Sequence, residues 1–226
     1  MRRTLLALLG AAGFCALIAG CRDGTESPRA VPSFHRILFL GNSITLHGPD
    51  QSIGWTGDWG MAATSAVIDY AHVLTTRILG ATLEERNVSS LETDPAHFDL
   101  RTIDSSLSRA PDLVVVELGD NVSNVGAFRS AYAALIARLA ATPSLTILCV
   151  STWWSSPNVD RAIQEACFTA GAGYADIGGL YPNPINRAET ERSFSDHGIG
   201  IHPGDTGMKN IADVLLSALS RGERAP

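Results

Sequence analysis

Five short apolar runs, spaced by segments with helical patterning, constrain this chain more than any other feature. Residues 37–40 read Ile-Leu-Phe-Leu, residues 113–118 read Leu-Val-Val-Val-Glu-Leu, and residues 145–150 read Leu-Thr-Ile-Leu-Cys-Val. Runs of this kind, with little polar alternation, suit strands covered on both faces, the pattern of a parallel sheet. Residues 83–88 and 174–177 supply two weaker strands. Between and after them, residues 62–79, 99–107, 128–140, 159–170 and 205–220 carry apolar side chains at helical spacing, with Asp205 placed to cap the last helix. Strands alternating with helices predict a three-layer α/β/α sandwich around a five-stranded parallel sheet. The flavodoxin-like order 2-1-3-4-5 is the expected solution. It opens a crevice between strands one and three, at the carboxyl ends of the strands.

The first 20 residues do not read as part of that domain. Arg2 and Arg3 precede a short apolar stretch that ends Leu17-Ile18-Ala19-Gly20-Cys21. A basic start and a short apolar core read as an export signal, shorter than the ~20 residues of a membrane span. The ending resembles a bacterial lipobox, which implies lipidation of Cys21 and attachment to the cell envelope. Arg22 rather than Asp follows Cys21, which favours the outer membrane or cell surface. Loss of palmitate labelling on Cys21→Ala is the expected result, and equal labelling would sink the anchor. Residues 21–35 then form a tether, 36–221 the domain and 222–226 a tail. Cys149 and Cys167 lie in a strand-like and a helix-like run. Two buried thiols are the default reading, with a disulfide open to an exported protein.

Charge narrows the partners. The net charge is −6 and Lys209 is the only lysine, so there is no basic patch and nucleic acid is not an expected partner. The oligomeric state is not legible. His35, His47, His72, His97 and His197 are dispersed, without the spacing of a zinc motif, and no cofactor or metal is expected.

The ends of strands one and three carry the chemistry. Gly41-Asn42-Ser43 follows the first and Gly119-Asp120-Asn121 the third, while His202-Pro203-Gly204-Asp205 stands before the last helix. Each piece alone reads as a turn. Together they are the parts of an acyl-transfer centre: a hydroxyl nucleophile, an imidazole base and N–H donors for an oxyanion.

These blocks resemble the SGNH (GDSL-type) hydrolases. Gly41-Asn42-Ser43 is similar to the family's first block, Gly119-Asp120-Asn121 to its third, and His202-Pro203 to its fifth. The resemblance implies Ser43 as nucleophile, His202 as base, and an oxyanion hole from the Ser43 N–H and the Asn121 amide. Two positions depart from the family pattern. Ile199 stands where the family places an Asp three residues before the His, which leaves Asp196 or a backbone carbonyl to orient His202. The second-block Gly is also absent, so the remaining donor falls to a backbone N–H among Ser89 to Glu92, with Glu92 the last candidate.

Trp55 and Trp59, in the loop after Ser43, and Trp153 and Trp154, after strand four, offer flat faces for a sugar ring or serve as packing. The expected function is a serine esterase that removes short acyl groups, O-acetyl above all, from a carbohydrate. The alternatives are a lipase or thioesterase of the same fold, and an inactive carbohydrate-binding surface lipoprotein.

Overall fold

The computed structural model of the chain describes residues 33–222. The leader, Cys21 and most of the tether and tail lie outside them. Strands β1 (Arg36–Gly41), β2 (Thr82–Asn87), β3 (Leu113–Glu117), β4 (Thr146–Val150) and β5 (Gly173–Ala175) pair in parallel in the order 2-1-3-4-5, as expected.

Strand alternation divides the core in two. Ile37 and Phe39, Leu113 and Val115, and Leu148 and Val150 face one layer, where they meet helices α1 (Tyr70–Arg77) and α7 (Asp205–Arg221). Leu38, Leu40, Val114, Val116, Ile147 and Cys149 face the other. There they pack against α4 (Val125–Ala140) and α5 (Pro157–Ala170). The central strands β1 and β3 are buried on both faces, so their apolar runs are continuous rather than alternating. The remaining helices are short: α2 (Ser90–Thr93), α3 (Asp104–Leu107) and α6 (His197–Gly200).

Three local expectations change. The helix expected over 62–79 shrinks to α1, preceded by a 3-10 turn at Ala66–Ile68. Ala62 has a left-handed backbone (φ 72°), and the carbonyls of Ala62 and Ala63 accept from the Arg192 guanidinium and the Trp59 indole. Carbonyls held by side chains from elsewhere are lost to a helix, so the helix starts where Asp69 caps it by accepting from the His72 N–H. The helix expected over 99–107 divides into a 3-10 turn, Leu100–Ile103, and α3. Asp205 is the first residue of α7 and not its cap. Its carboxylate holds the Thr64 N–H and hydroxyl, and Glu191 accepts from the Asp205 and Thr206 N–H groups instead.

Cys149 and Cys167 are joined, correcting the default of two free thiols. Cys149 points from β4 into the layer that α5 covers, and the Cα atoms lie 6.5 Å apart, within the reach of a disulfide.

Candidate active site

The nucleophile turn is built by close packing at its start. A Cβ on Gly41 would fall 1.9 Å from the Thr45 Oγ1 and 2.8 Å from the Glu117 carbonyl oxygen, so only glycine fits there. Asn42 is fully buried. Its Oδ1 accepts from the Ile44 N–H at 2.9 Å, and its carbonyl accepts from the Thr45 and Leu46 N–H groups, which closes the turn around Ser43.

His202 reaches Ser43 from the loop before α7. Its Nε2 lies 2.9 Å from the Ser43 Oγ, and its Nδ1 lies 2.6 Å from the Gly198 carbonyl oxygen. A carbonyl only accepts, so the ring proton sits on Nδ1 and the Nε2 lone pair faces the serine hydroxyl. The carbonyl thus takes the place of the carboxylate in orienting the ring. Ile199 is buried against Trp55, Met61, Ala62 and Ala188, an environment closed to an ionised side chain. Asp196 makes no hydrogen bond to His202. It caps α6 through the Ile199 N–H, and so helps hold the turn that presents the Gly198 carbonyl. Trp154 packs edge-on against the imidazole, with centroids 5.2 Å apart.

Burial dominates the electrostatics of His202 and pushes it down to about 4, against a smaller upward effect of the Gly198 bond. The base form is therefore ready at neutral pH. The acid limb of kcat/KM, which reports the free enzyme, is expected near pH 4 and not near the ordinary histidine value of about 6.5. A midpoint near 6.5 would contradict a buried base. Stability follows the same group. Between about 6.5 and about 4 the unfolded chain takes up a proton that the folded chain refuses, so His202 lowers stability as pH falls through that window.

Glu92 organises the opposite wall. It is 1% exposed and its carboxylate accepts from four donors: the Asn42 amide at 3.2 Å, the Asn121 amide at 2.7 Å, the Asp120 N–H at 3.0 Å and the Gly119 N–H. This corrects the expectation of Glu92 as a backbone oxyanion donor, because its N–H is spent on the Ser89 carbonyl within α2. The Ser89 and Leu91 N–H groups are likewise taken, by the Asn87 side chain and the Val88 carbonyl, which leaves Ser90 as the candidate without an acceptor among the described residues. Among the described residues the Ser43 N–H has no acceptor. Asn121 has one amide hydrogen held by Glu92 and a second left for the site.

Behind this wall lies a second acidic layer. Asp120 accepts from the Trp154 N–H at 3.1 Å and from the Asn42 amide at 3.3 Å. Glu117 is fully buried beside it, and among the described residues its Oε1 has no donor. Burial, with the neighbouring Asp120 charge, raises Glu117 well above the usual carboxylate range. In the sequence Gly119-Asp120-Asn121 is a turn with one useful amide, and nothing local to it gives the Glu92 and Glu117 carboxylates a scaffold role. Buried acids at successive strand ends were the available sign.

A cavity of about 350 Å³ holds Ser43, His202 and Asn121 together, with His47, Asn87, Ser89, Thr93 and Asp196 on its walls. The tryptophans do not line it. Trp153 is buried and donates to the Ile201 carbonyl, so it is core and not a substrate-lining residue. Trp154 packs on His202, as above. Trp55 and Trp59 stack edge to face and line an adjoining depression with Phe194 and Arg192, separated from the cavity by Ile199, which borders both.

Fold and site together define the class: a doubly wound sheet with a serine–histidine pair at its carboxyl edge. Solved structures share this architecture. A two-domain esterase active on acetylated mannans, co-crystallised with mannopentaose, superposes with a TM-score of 0.60 at 19% identity, over 85% of this chain and 51% of that one. A family two carbohydrate esterase from Cellvibrio japonicus gives 0.56 at 16% identity, over 83% and 61%. A GDSL-like protein from Bacteroides uniformis gives 0.56 at 16% identity, over 83% and 96%. The chain spans about half the length of the two-domain esterase. No protein-family model matches the chain, and no curated protein matches it in sequence. The fold is that of the SGNH (GDSL-like) hydrolases.

Proposed function

We propose that this chain is a serine esterase of the SGNH type, acting on short acyl esters of a carbohydrate through an acyl-enzyme on Ser43. The observation that carries it is the 2.9 Å contact between the Ser43 Oγ and a His202 Nε2 whose other nitrogen is bound to a carbonyl. His202 removes the hydroxyl proton as Ser43 attacks the ester carbonyl. The Ser43 N–H and Asn121 amide stabilise the oxyanion. The imidazolium returns the proton to the departing sugar oxygen. Water, deprotonated by the same ring, then attacks the acyl-enzyme and releases the acid.

Several features favour a short acyl group on a glycan. The cavity wall carries the side chains of Asn87, Ser89, Thr93 and Asn121, able to hydrogen-bond a glycan, beside the apolar Ile53, Met61 and Ile199. In the adjoining depression the half-buried Trp59 offers an aromatic face suited to a sugar ring, with the buried Trp55 behind it. Esterases sharing the fold include one that acts on acetylated mannans. The lipid anchor at Cys21 belongs to the same proposal and places the enzyme on the cell envelope.

The test is a series of chromogenic esters of increasing acyl length, alongside acetate release from an acetylated polysaccharide. Acetyl and propionyl esters are expected to turn over faster than octanoyl, with acetate freed from the polymer. A preference for long chains would move the reading to a lipase or thioesterase. Glycan binding without turnover, and no reaction of Ser43 with a fluorophosphonate, would leave a binding protein.

A further inference from the structure

Away from the serine, a histidine and two carboxylates converge between α1 and the edge strand β2. Asp69 is the fully buried cap of α1, His72 stands one turn on, and Glu85 projects from β2 toward them. The His72 Nδ1 lies 2.9 Å from the Asp69 Oδ1 and 3.7 Å from the Glu85 Oε2, and one donor atom of each residue falls within 4.8 Å of the others.

Two independent facts mark this as more than a capped helix. The Glu85 side chain is only 10% exposed, yet among the described residues its Oε1 has no hydrogen-bond donor. The charged groups acting most strongly on it are Asp69, His72 and Asp58, and none is a lysine or arginine. A buried carboxylate with one oxygen left without a donor, and only a histidine shared with a second carboxylate to offset its charge, is costly.

We propose that Asp69, His72 and Glu85 bind one divalent transition-metal ion, for which zinc is the best match. One imidazole and two carboxylates are a zinc donor set, with ligand distances of about 2.0–2.2 Å in a tetrahedron. Tetrahedral donors at that radius stand about 3.4 Å apart. The observed 2.9 and 3.7 Å bracket that spacing. The fourth position is left to water, with entry past His72, whose side chain is 28% exposed.

The ion would join α1 and β2. It would also hold the loop after Ser43, because the Gly60 N–H approaches the Asp69 Oδ2 and the next residue, Met61, donates to the Ser43 carbonyl at 2.8 Å. The site is structural and independent of the esterase reading.

The test titrates chelator-treated, tag-free protein with zinc chloride by calorimetry and follows thermal unfolding. One saturable site is expected, with a rise in Tm of roughly 5–10 °C at zinc one hundredfold above its Kd. His72→Ala and Glu85→Gln should each abolish both. The first variant keeps the backbone cap of Asp69 and the second keeps the side-chain volume, so either alone decides the matter if the other fails to fold. No saturable uptake would overturn the proposal. So would uptake unchanged in both variants, or binding of magnesium or calcium in preference to zinc.

Discussion

Ser43→Ala is expected to lower kcat/KM for an acetyl ester by about 10⁴-fold or more, and His202→Ala by nearly as much. The two side chains act as one unit. The hydroxyl is a weak nucleophile until the Nε2 lone pair, 2.9 Å away, takes its proton. The double variant is therefore expected to be no slower than either single one. Turnover and burst kinetics of the three variants at neutral pH measure this. Retention of more than about a tenth of activity in His202→Ala would remove the histidine from the proton transfer. The Gly198 carbonyl makes the experiment informative, because it holds the tautomer without a carboxylate's charge. It stabilises the imidazolium less than a charged carboxylate would, so the dyad should be slower than a carboxylate-supported triad while keeping the same order of events.

Asn121→Ala should cost about 10² to 10³ in kcat, the usual effect of removing one oxyanion donor. Glu92→Gln is expected to approach that loss although Glu92 does not line the cavity. Its carboxylate receives donors from three places: Asn42 of the nucleophile turn, and the Gly119–Asp120 backbone and Asn121 amide after β3. A glutamine turns one of those acceptor oxygens into a donor. Either the Asn121 amide or the backbone pair is then repelled, and the donor to the oxyanion loses its aim. Glu92 is thus a positioning residue. A merely structural role would lower Tm without a selective fall in kcat. Well below Tm, kcat should drop with KM little changed, and Glu92→Gln combined with Asn121→Ala should be no worse than Asn121→Ala alone. A stability cost of about 1–3 kcal/mol is expected alongside, from buried donors left without an acceptor.

The same residues show why part of the site was legible and part was not. Ser43, Asn121 and His202 stand at the ends of strongly patterned elements, and the carboxyl edge of a parallel sheet is where such residues meet. Glu92 is legible only as a position near β2, because its donors come from 50 residues before it and 27 to 29 residues after it. His72 looked like one of several scattered histidines. It meets Asp69 along its own helix, but Glu85 joins them only when β2 packs beside α1.

Local chemistry by itself determined the five strands, their parallel wrapping and the turn residues, since runs of apolar side chains and glycine sterics act over a few residues. Tertiary structure alone decided which groups share a buried volume. That choice put a carbonyl behind His202, buried Trp153, joined Cys149 to Cys167, and cut the first helix short when Arg192 and Trp59 took its carbonyls. The physical reason is that buried polar groups must find partners wherever the packed chain supplies them, and the supplier is set by three-dimensional neighbours rather than by sequence distance.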